Sequence, residues 1–233
     1  MISVCMATYN GEKYIKEQID SILIQLNEND ELIISDDGST DKTLEIINSY
    51  NDRRIKLLIF NSHCYTKNFE NALMHVQGDY IFLADQDDVW LPNKVDICLG
   101  VLKNCDFVVT DATVVDENKK ILLDSYFDYC KVKKGFVYNL LFTRYIGACM
   151  AFKKKVLSDV LPIPNNKYIA HDYWIACVCE KKYKVEPIKI SCILYRRHSK
   201  NTSSGIFEQS SLTLFEKIYK RVYAVYLINS IRK

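Results

Sequence analysis

FLADQDDVWLP, residues 82–92, sets three carboxylates, Asp85, Asp87 and Asp88, directly after an apolar run and just ahead of Trp90 and Pro92. Neighbouring carboxylates repel one another, so such a cluster persists best where a cation compensates it, and a hard divalent ion suits it. The residues alone leave a second reading open. In that one the stretch is a solvated acidic turn in which Asp88 or Asn93 caps a helix beginning near Pro92.

The apolar run before the acids is one of a series. ISVCMA (2–7), ELIIS (31–35), RIKLLIF (54–60), DYIFLA (79–84) and CDFVVTD (105–111) alternate with stretches of helical periodicity, the first marked by Ile15, Ile19, Ile22, Leu23 and Leu26. This βαβα order predicts an α/β fold with a mostly parallel sheet and helices on both faces. Ligands of such folds collect at the carboxyl ends of the strands, which here read ATYNG, SDDGSTD and ADQDD. Ser39, Thr40 and Asp41 are expected to cap a helix through Leu44 and Ile47, and Pro92 to occupy the first turn of the next. Beyond residue 112 the alternation weakens. IGACMAF (146–152) and ISCILYR (190–196) read as strands, LSDVL (157–161) and DYWIACVCEKK (172–182) as helices, and PIPNNK (162–167) as a loop.

Composition narrows the classes of function. A chain of 233 residues with 48% hydrophobic content can bury a substantial core. Thirty-one basic against 29 acidic residues leave a formal charge of +2, so no global field argues for nucleic acid as a partner. Nine cysteines, an odd number without a CxxC pair, read as reduced thiols, and a cytoplasmic protein is expected. Residues 2–7 are too short for a signal peptide, and no apolar run approaches the roughly 20 residues that span a bilayer.

Several decoys fail on spacing. An EF-hand loop from Asp85 needs an oxygen ligand and then glycine where Val89 and Trp90 stand. An aspartyl-phosphate motif needs an acid at position 35, which is Ser35. Walker and GxGxxG loops are absent. A metal phosphohydrolase built around His171 and Asp172 has no second ligand cluster among the four histidines 63, 75, 171 and 198.

ATYNG, SDDGSTD, GDYIFLADQDDVW and HDYW, in that order, resemble the successive motifs of family 2 glycosyltransferases over residues 1 to about 205. The resemblance implies a GT-A fold, a nucleotide-sugar donor, a divalent metal (Mn²⁺ or Mg²⁺) and inversion at the anomeric carbon. It implies that Asp87 ligates the metal, with Asp85 beside the ribose or the metal. Thr8, Tyr9 and Asn10 match the loop under the nucleobase. Asp37 matches a contact to a pyrimidine imide, which favours a UDP- or dTDP-sugar, and Asp36 is structural. Lys67 and Asn68 fall where the family places polar groups near the diphosphate or sugar. Asp172 matches the general base, although His171 stands where glutamate is common. Arg197 and His198, in YRRHSKN (195–201), resemble the late loop that meets the diphosphate, while Arg196 and Lys200 read equally as solvated.

For several of these residues a structural role competes. Tyr9 can lid the core, Asp37 and Asp172 can cap helices, and Trp90 and Trp174 can either stack on acceptor sugars or pack inside. The ADQDDVW form resembles bacterial rhamnosyl and galactosyl transferases that build O-antigen or capsule, with a saccharide or lipid-linked saccharide acceptor. Rival functions are an inactive GT-A-like binding protein and a sugar nucleotidyltransferase, although ATYNGEKY replaces the latter's glycine-rich loop. The expected organisation is a nucleotide-sugar half (1–111), an acceptor half of the same domain (112–206) and a basic amphipathic helix (207–233). In that last segment Leu212, Phe215, Ile218, Val222, Val225 and Ile228 lie near one another, among Lys217, Lys220, Arg221, Arg232 and Lys233. Residues 209–233 are expected to touch an anionic membrane peripherally, to pack on the domain or to make a dimer contact.

Overall fold

Four of the apolar runs become β1 (Ile2–Thr8), β2 (Glu31–Asp36), β3 (Ile55–Ile59) and β4 (Tyr80–Asp85), paired in parallel in the order β3-β2-β1-β4. The structure is a computed structural model that describes residues 1–142, 144–198, 201 and 212–231. Helices α1 (Ile15–Leu23), α2 (Thr43–Asn48) and α3 (Tyr65–Met74) connect the four strands. The chain steps outward from β1 to β3 through α1 and α2, then returns across β1 to β4 through α3. Right-handed crossovers therefore put α1 and α2 on one face and α3 on the other. In agreement, α1 touches α2, while α3 packs on β1 and β2.

The direction reverses between β1 and β4, which opens a crevice at their carboxyl ends. Register holds the strand tips level there: Thr8 pairs with Asp36, and Ala7 with Asp85. Strands β1, β2 and β4 are buried almost throughout, while β3, at the edge, is half-buried. The stripe Ile15, Ile19 and Ile22 seats α1 in the core, each side chain contributing roughly 1.5–3 kcal/mol.

The second half is mixed. It contains β5 (Val89–Trp90), α4 (Lys94–Leu102), β6 (Phe107–Val115), β7 (Ile121–Leu123), α5 (Tyr126–Cys130), α6 (Phe136–Phe142), β8 (Met150–Lys153), α7 (Leu157–Val160), α8 (His171–Lys182), β9 (Val185–Arg196) and α9 (Leu214–Ser230). The sheet continues from β4 through β8, β6, β9 and β5. Strand β8 runs antiparallel to β4 and β6, β9 parallel to β6, and β5 antiparallel to β9. The division expected at 111/112 falls inside β6, because that strand is shared by both halves of one sheet. Pro92 lies ahead of α4, separated from it by Asn93 at φ +66°. The IGACMAF strand begins only at Met150, since Gly147–Cys149 form a 3-10 turn.

Helix α9 opens with a capping box: the Glu216 amide donates to the Thr213 hydroxyl (3.2 Å) and the Thr213 amide to the Glu216 carboxylate (2.8 Å). It packs on α8 and buries Ala224 and Ile228. Of the expected apolar stripe, Phe215, Ile218 and Val222 are turned outward, exposed by 78%, 51% and 64%, while Ile228 is buried. Arg232 and Lys233 lie outside the described residues. No helix among the described residues is long and apolar enough to cross a membrane. All nine cysteines are free thiols, and Cys64 alone is exposed.

Candidate active site

The strand tips open into a cavity of about 1590 Å³. Its lining includes Thr8, Tyr9, Asn10, Asp37, Asn68, Asp85, Asp87, Asp172 and His198.

The loop after β1 is built around Gln86. The Tyr9 amide donates to Gln86 Oε1 (2.9 Å) and Gln86 Nε2 donates back to the Tyr9 carbonyl (3.0 Å). Gly11 packs so closely on Gln86 that any side chain there would collide. Tyr9 is 51% exposed, so it faces the cavity and is no lid on the core. Asn10, at φ +48°, accepts the Thr40 amide on Oδ1 (2.8 Å). The Thr8 hydroxyl donates to buried Asp36 (2.8 Å), which also accepts the Gly38 and Ser39 amides, and Asp36 is structural. Asp37 Oδ1 accepts the amides of Ser62 and His63, and its Oδ2 accepts that of Cys64 (2.9 Å). Asp37 therefore holds the loop before α3 and does not cap α2. Asn68 Nδ2 donates to the Thr8 carbonyl (3.1 Å), while its buried Oδ1 has no partner among the described residues.

Beyond β4 the acids separate. Asp88 is fully buried and accepts the Arg196 amide (2.9 Å). Burial, reinforced by Asp87 and Asp85, pushes its carboxyl well above the ordinary range. Asp87 Oδ2 contacts His198 Nε2 and accepts from Asn201 Nδ2, both at 2.8 Å. The His198 ring stacks on Tyr14 at 4.9 Å. Among the described residues Asp85 has no side-chain hydrogen bond, and burial together with the charges of Asp87 and Asp172 pushes its pKa up to about 7. An acid left without a donor beside a second acid fits a hard cation, which commonly takes one or two carboxylates and fills its shell from water and phosphate.

Two cations hidden in the sequence support this loop. Arg196 is 3% exposed rather than solvated. It donates to the Asp87 carbonyl (2.7 Å), the Glu117 carbonyl (3.0 Å) and the Glu17 carboxylate (2.6 Å). Lys94 is fully buried, donates to the Ala148 carbonyl (2.6 Å) and lies 4.4 Å from the centre of the Trp90 ring.

Asp172 stands in the first turn of α8, where the helix dipole favours a carboxylate. Ala170 occupies the cap position, and Asp172 Oδ1 accepts the Tyr173 amide (2.6 Å). His171 turns inward, stacks 3.9 Å from Phe69, and has both ring nitrogens buried without partners among the described residues. Burial holds its pKa below the ordinary value.

Four expected residues do not reach the cavity lining. Trp90 and Trp174 are each 3% exposed. Trp90 packs 5.7 Å from the Phe82 ring, and Trp174 donates its indole N–H to the Val160 carbonyl (2.8 Å), so neither offers a face to an acceptor. Lys67 pairs with Glu70 and donates to the Ile163 carbonyl (3.2 Å). The Arg197 guanidinium reaches the Tyr195 hydroxyl (3.3 Å). Lys200 lies outside the described residues.

The chain is similar to known proteins in sequence and in fold. UDP-Glc:alpha-D-GlcNAc-diphosphoundecaprenol beta-1,3-glucosyltransferase WfgD of Escherichia coli is 26% identical over 219 residues, spanning 90% of this chain and 82% of that protein. S. aureus TarS 1–349 in complex with UDP-GlcNAc is similar in structure at a TM-score of 0.74 and 18% identity, over 100% of this chain and 67% of that one. The mannosyltransferase PcManGT from Pyrobaculum calidifontis, in complex with GDP-Man and Mn²⁺, gives 0.64 at 17% identity over 85% of this chain and 57% of that one. The fold is GT-A. The profile described as Glycosyl transferase family 2 matches residues 3–161, taking in the loop after β1 and the acids after β4, and the chain belongs to that family of glycosyltransferases.

Proposed function

We propose that the chain is an inverting, metal-dependent glycosyltransferase that moves a sugar from a UDP- or dTDP-sugar to a saccharide acceptor in bacterial surface polysaccharide synthesis. The observation that carries the reading is the presence of Asp172 in the same cavity as Asp85 and Asp87. Asp85 and Asp87 would hold Mn²⁺ or Mg²⁺, which supplies positive charge against the departing diphosphate. Tyr9 and Asn10 flank the nucleobase. Asp37, whose Oδ2 accepts only the Cys64 amide among the described residues, receives the imide N–H. Asn68 offers its open Oδ1 to the donor. Asp172 takes the acceptor hydroxyl proton as the acceptor oxygen bonds to the anomeric carbon. The bond from that carbon to the diphosphate oxygen breaks, and nucleoside diphosphate leaves.

The protein works at the cytoplasmic face of a membrane, touching lipid through the outward apolar side of α9 beside a lipid-linked acceptor. WfgD is named for such an acceptor.

Calorimetric titration of UDP and dTDP, each with and without Mn²⁺, tests the donor site. Binding is expected to need the metal and to weaken at least tenfold in Asp87→Ala. Absence of binding to either nucleotide would point to a GT-A scaffold without turnover.

A further inference from the structure

The cavity has a second charged region that donor binding leaves unused. Arg144, from the segment after α6, and Lys217, Lys220 and Arg221, from α9, all line it. Arg221 is anchored by Nη2 donating to the Leu141 carbonyl (2.6 Å), while its Nε is buried without a partner among the described residues. The Nε of Arg144 is likewise buried and has no partner among the described residues. Lys220 holds its ammonium 3.7 Å from the centre of the Tyr173 ring. Among the described residues none of the four forms a salt bridge. Like charges gathered in a partly buried site, with unsatisfied N–H donors, call for an anion.

That anion is separate from the donor diphosphate. The four cations come from the segment after α6 and from α9, whereas Asp85 and Asp87 stand at the end of β4 and just after it. Asp172, in the first turn of α8, lines the same cavity, and α8 packs on both α6 and α9. The general base thus shares its cavity with an acidic and a basic region. An acceptor approaching Asp172 from the α9 side carries its own charge onto the basic one.

We propose that Arg144, Lys217, Lys220 and Arg221 form an acceptor subsite for a phosphate-bearing saccharide, gripping its phosphate or diphosphate while a sugar hydroxyl meets Asp172. The assignment rests on the glycosyltransferase mechanism above. Leu140, Leu141, Phe142 and Leu212 also line the cavity. The same phosphate chemistry fits a lipid-linked sugar phosphate or a water-soluble one.

The test is calorimetric titration with inorganic pyrophosphate in EDTA, where no metal can bridge an anion to Asp85 and Asp87. Binding at one site per chain is expected. It should weaken at least tenfold in Lys217→Gln/Arg221→Gln and remain unchanged in Asp87→Ala. Because Arg221 also fastens α9 to Leu141, Lys217→Glu alone is the second variant, at a partly exposed position, and should weaken binding several-fold. Tighter binding of decyl phosphate than of methyl phosphate assigns the site to a lipid-linked acceptor, and equal binding to a soluble phosphosugar. Unchanged pyrophosphate affinity in both charge variants overturns the subsite, as does binding that requires Mn²⁺ and disappears in Asp87→Ala. Failure of the donor reading shows separately, as loss of UDP binding with Mn²⁺.

Discussion

Asp172 gives one carboxylate oxygen to the Tyr173 amide, and its other oxygen accepts no hydrogen bond from the described residues. Asparagine at this position keeps the amide contact and loses the ability to take a proton. Asp172→Asn is therefore expected to lower transfer roughly 10²–10⁴-fold, with UDP binding in Mn²⁺ changed less than about threefold on the usual separation of chemistry from ground-state binding. Nucleoside diphosphate release and calorimetry on the same preparation measure both, and near-normal turnover would remove the base assignment. Legibility at this scale follows the physics of each residue type. Crowded carboxylates at a strand end announce a site because their repulsion needs a reason. An indole reads the same whether it stacks on a sugar or, like Trp90, packs inside against Phe82. Lys94 and Arg196 were illegible because a cation in a sequence reads as solvated, and only the sheet carries them inward to the Ala148 and Asp87 carbonyls.

Between elements, α3 and α8 meet where Phe69 stacks on His171. Burial lowers the pKa of this imidazole from 6.5. Above pH 6.5 the ring is neutral in both folded and unfolded chains, and the contact is fully retained. As pH falls through 6.5 the unfolded chain takes up a proton that the folded one resists, so stability declines by up to about 1.4 kcal/mol per pH unit. Asp85 acts in the opposite sense, since its raised pKa means that falling pH relieves a buried charge. The comparison must therefore be with His171→Phe, whose thermal midpoint should lack the acid-side decline of the wild type. Parallel midpoint curves between pH 7 and 5 would show that His171 contributes none of it. Strands β1 to β4 were readable as elements because burial on both faces leaves continuous apolar runs. The outward side of α9 was not, because periodicity shows that a helix has an apolar stripe without showing which side the body of the protein covers.

Taken whole, the molecule joins its two halves through one sheet and closes the cavity with α9, so the last helix belongs to the site as much as the first strand. The basic residues of α9 face that cavity, whereas Leu214, Phe215, Ile218, Val222 and Tyr226 are exposed. Val137, Leu141 and Phe142 of α6 are exposed as well, and the Arg221 bond to Leu141 ties the two helices together. Membrane contact made this way should depend on apolar burial more than on lipid charge. The full chain is expected to float with vesicles of phosphatidylcholine alone, and added phosphatidylglycerol or raised salt should change the bound fraction little. Phe215→Ser/Ile218→Ser/Val222→Ser removes side chains exposed by half or more, so the fold should persist while vesicle affinity falls at least about tenfold, at roughly 25 cal/mol per Å² of lost apolar contact. Flotation that depends entirely on phosphatidylglycerol would return the contact to the basic residues. Flotation unchanged in the triple variant, or absent in the wild type, would leave α9 with its cavity face alone as its role.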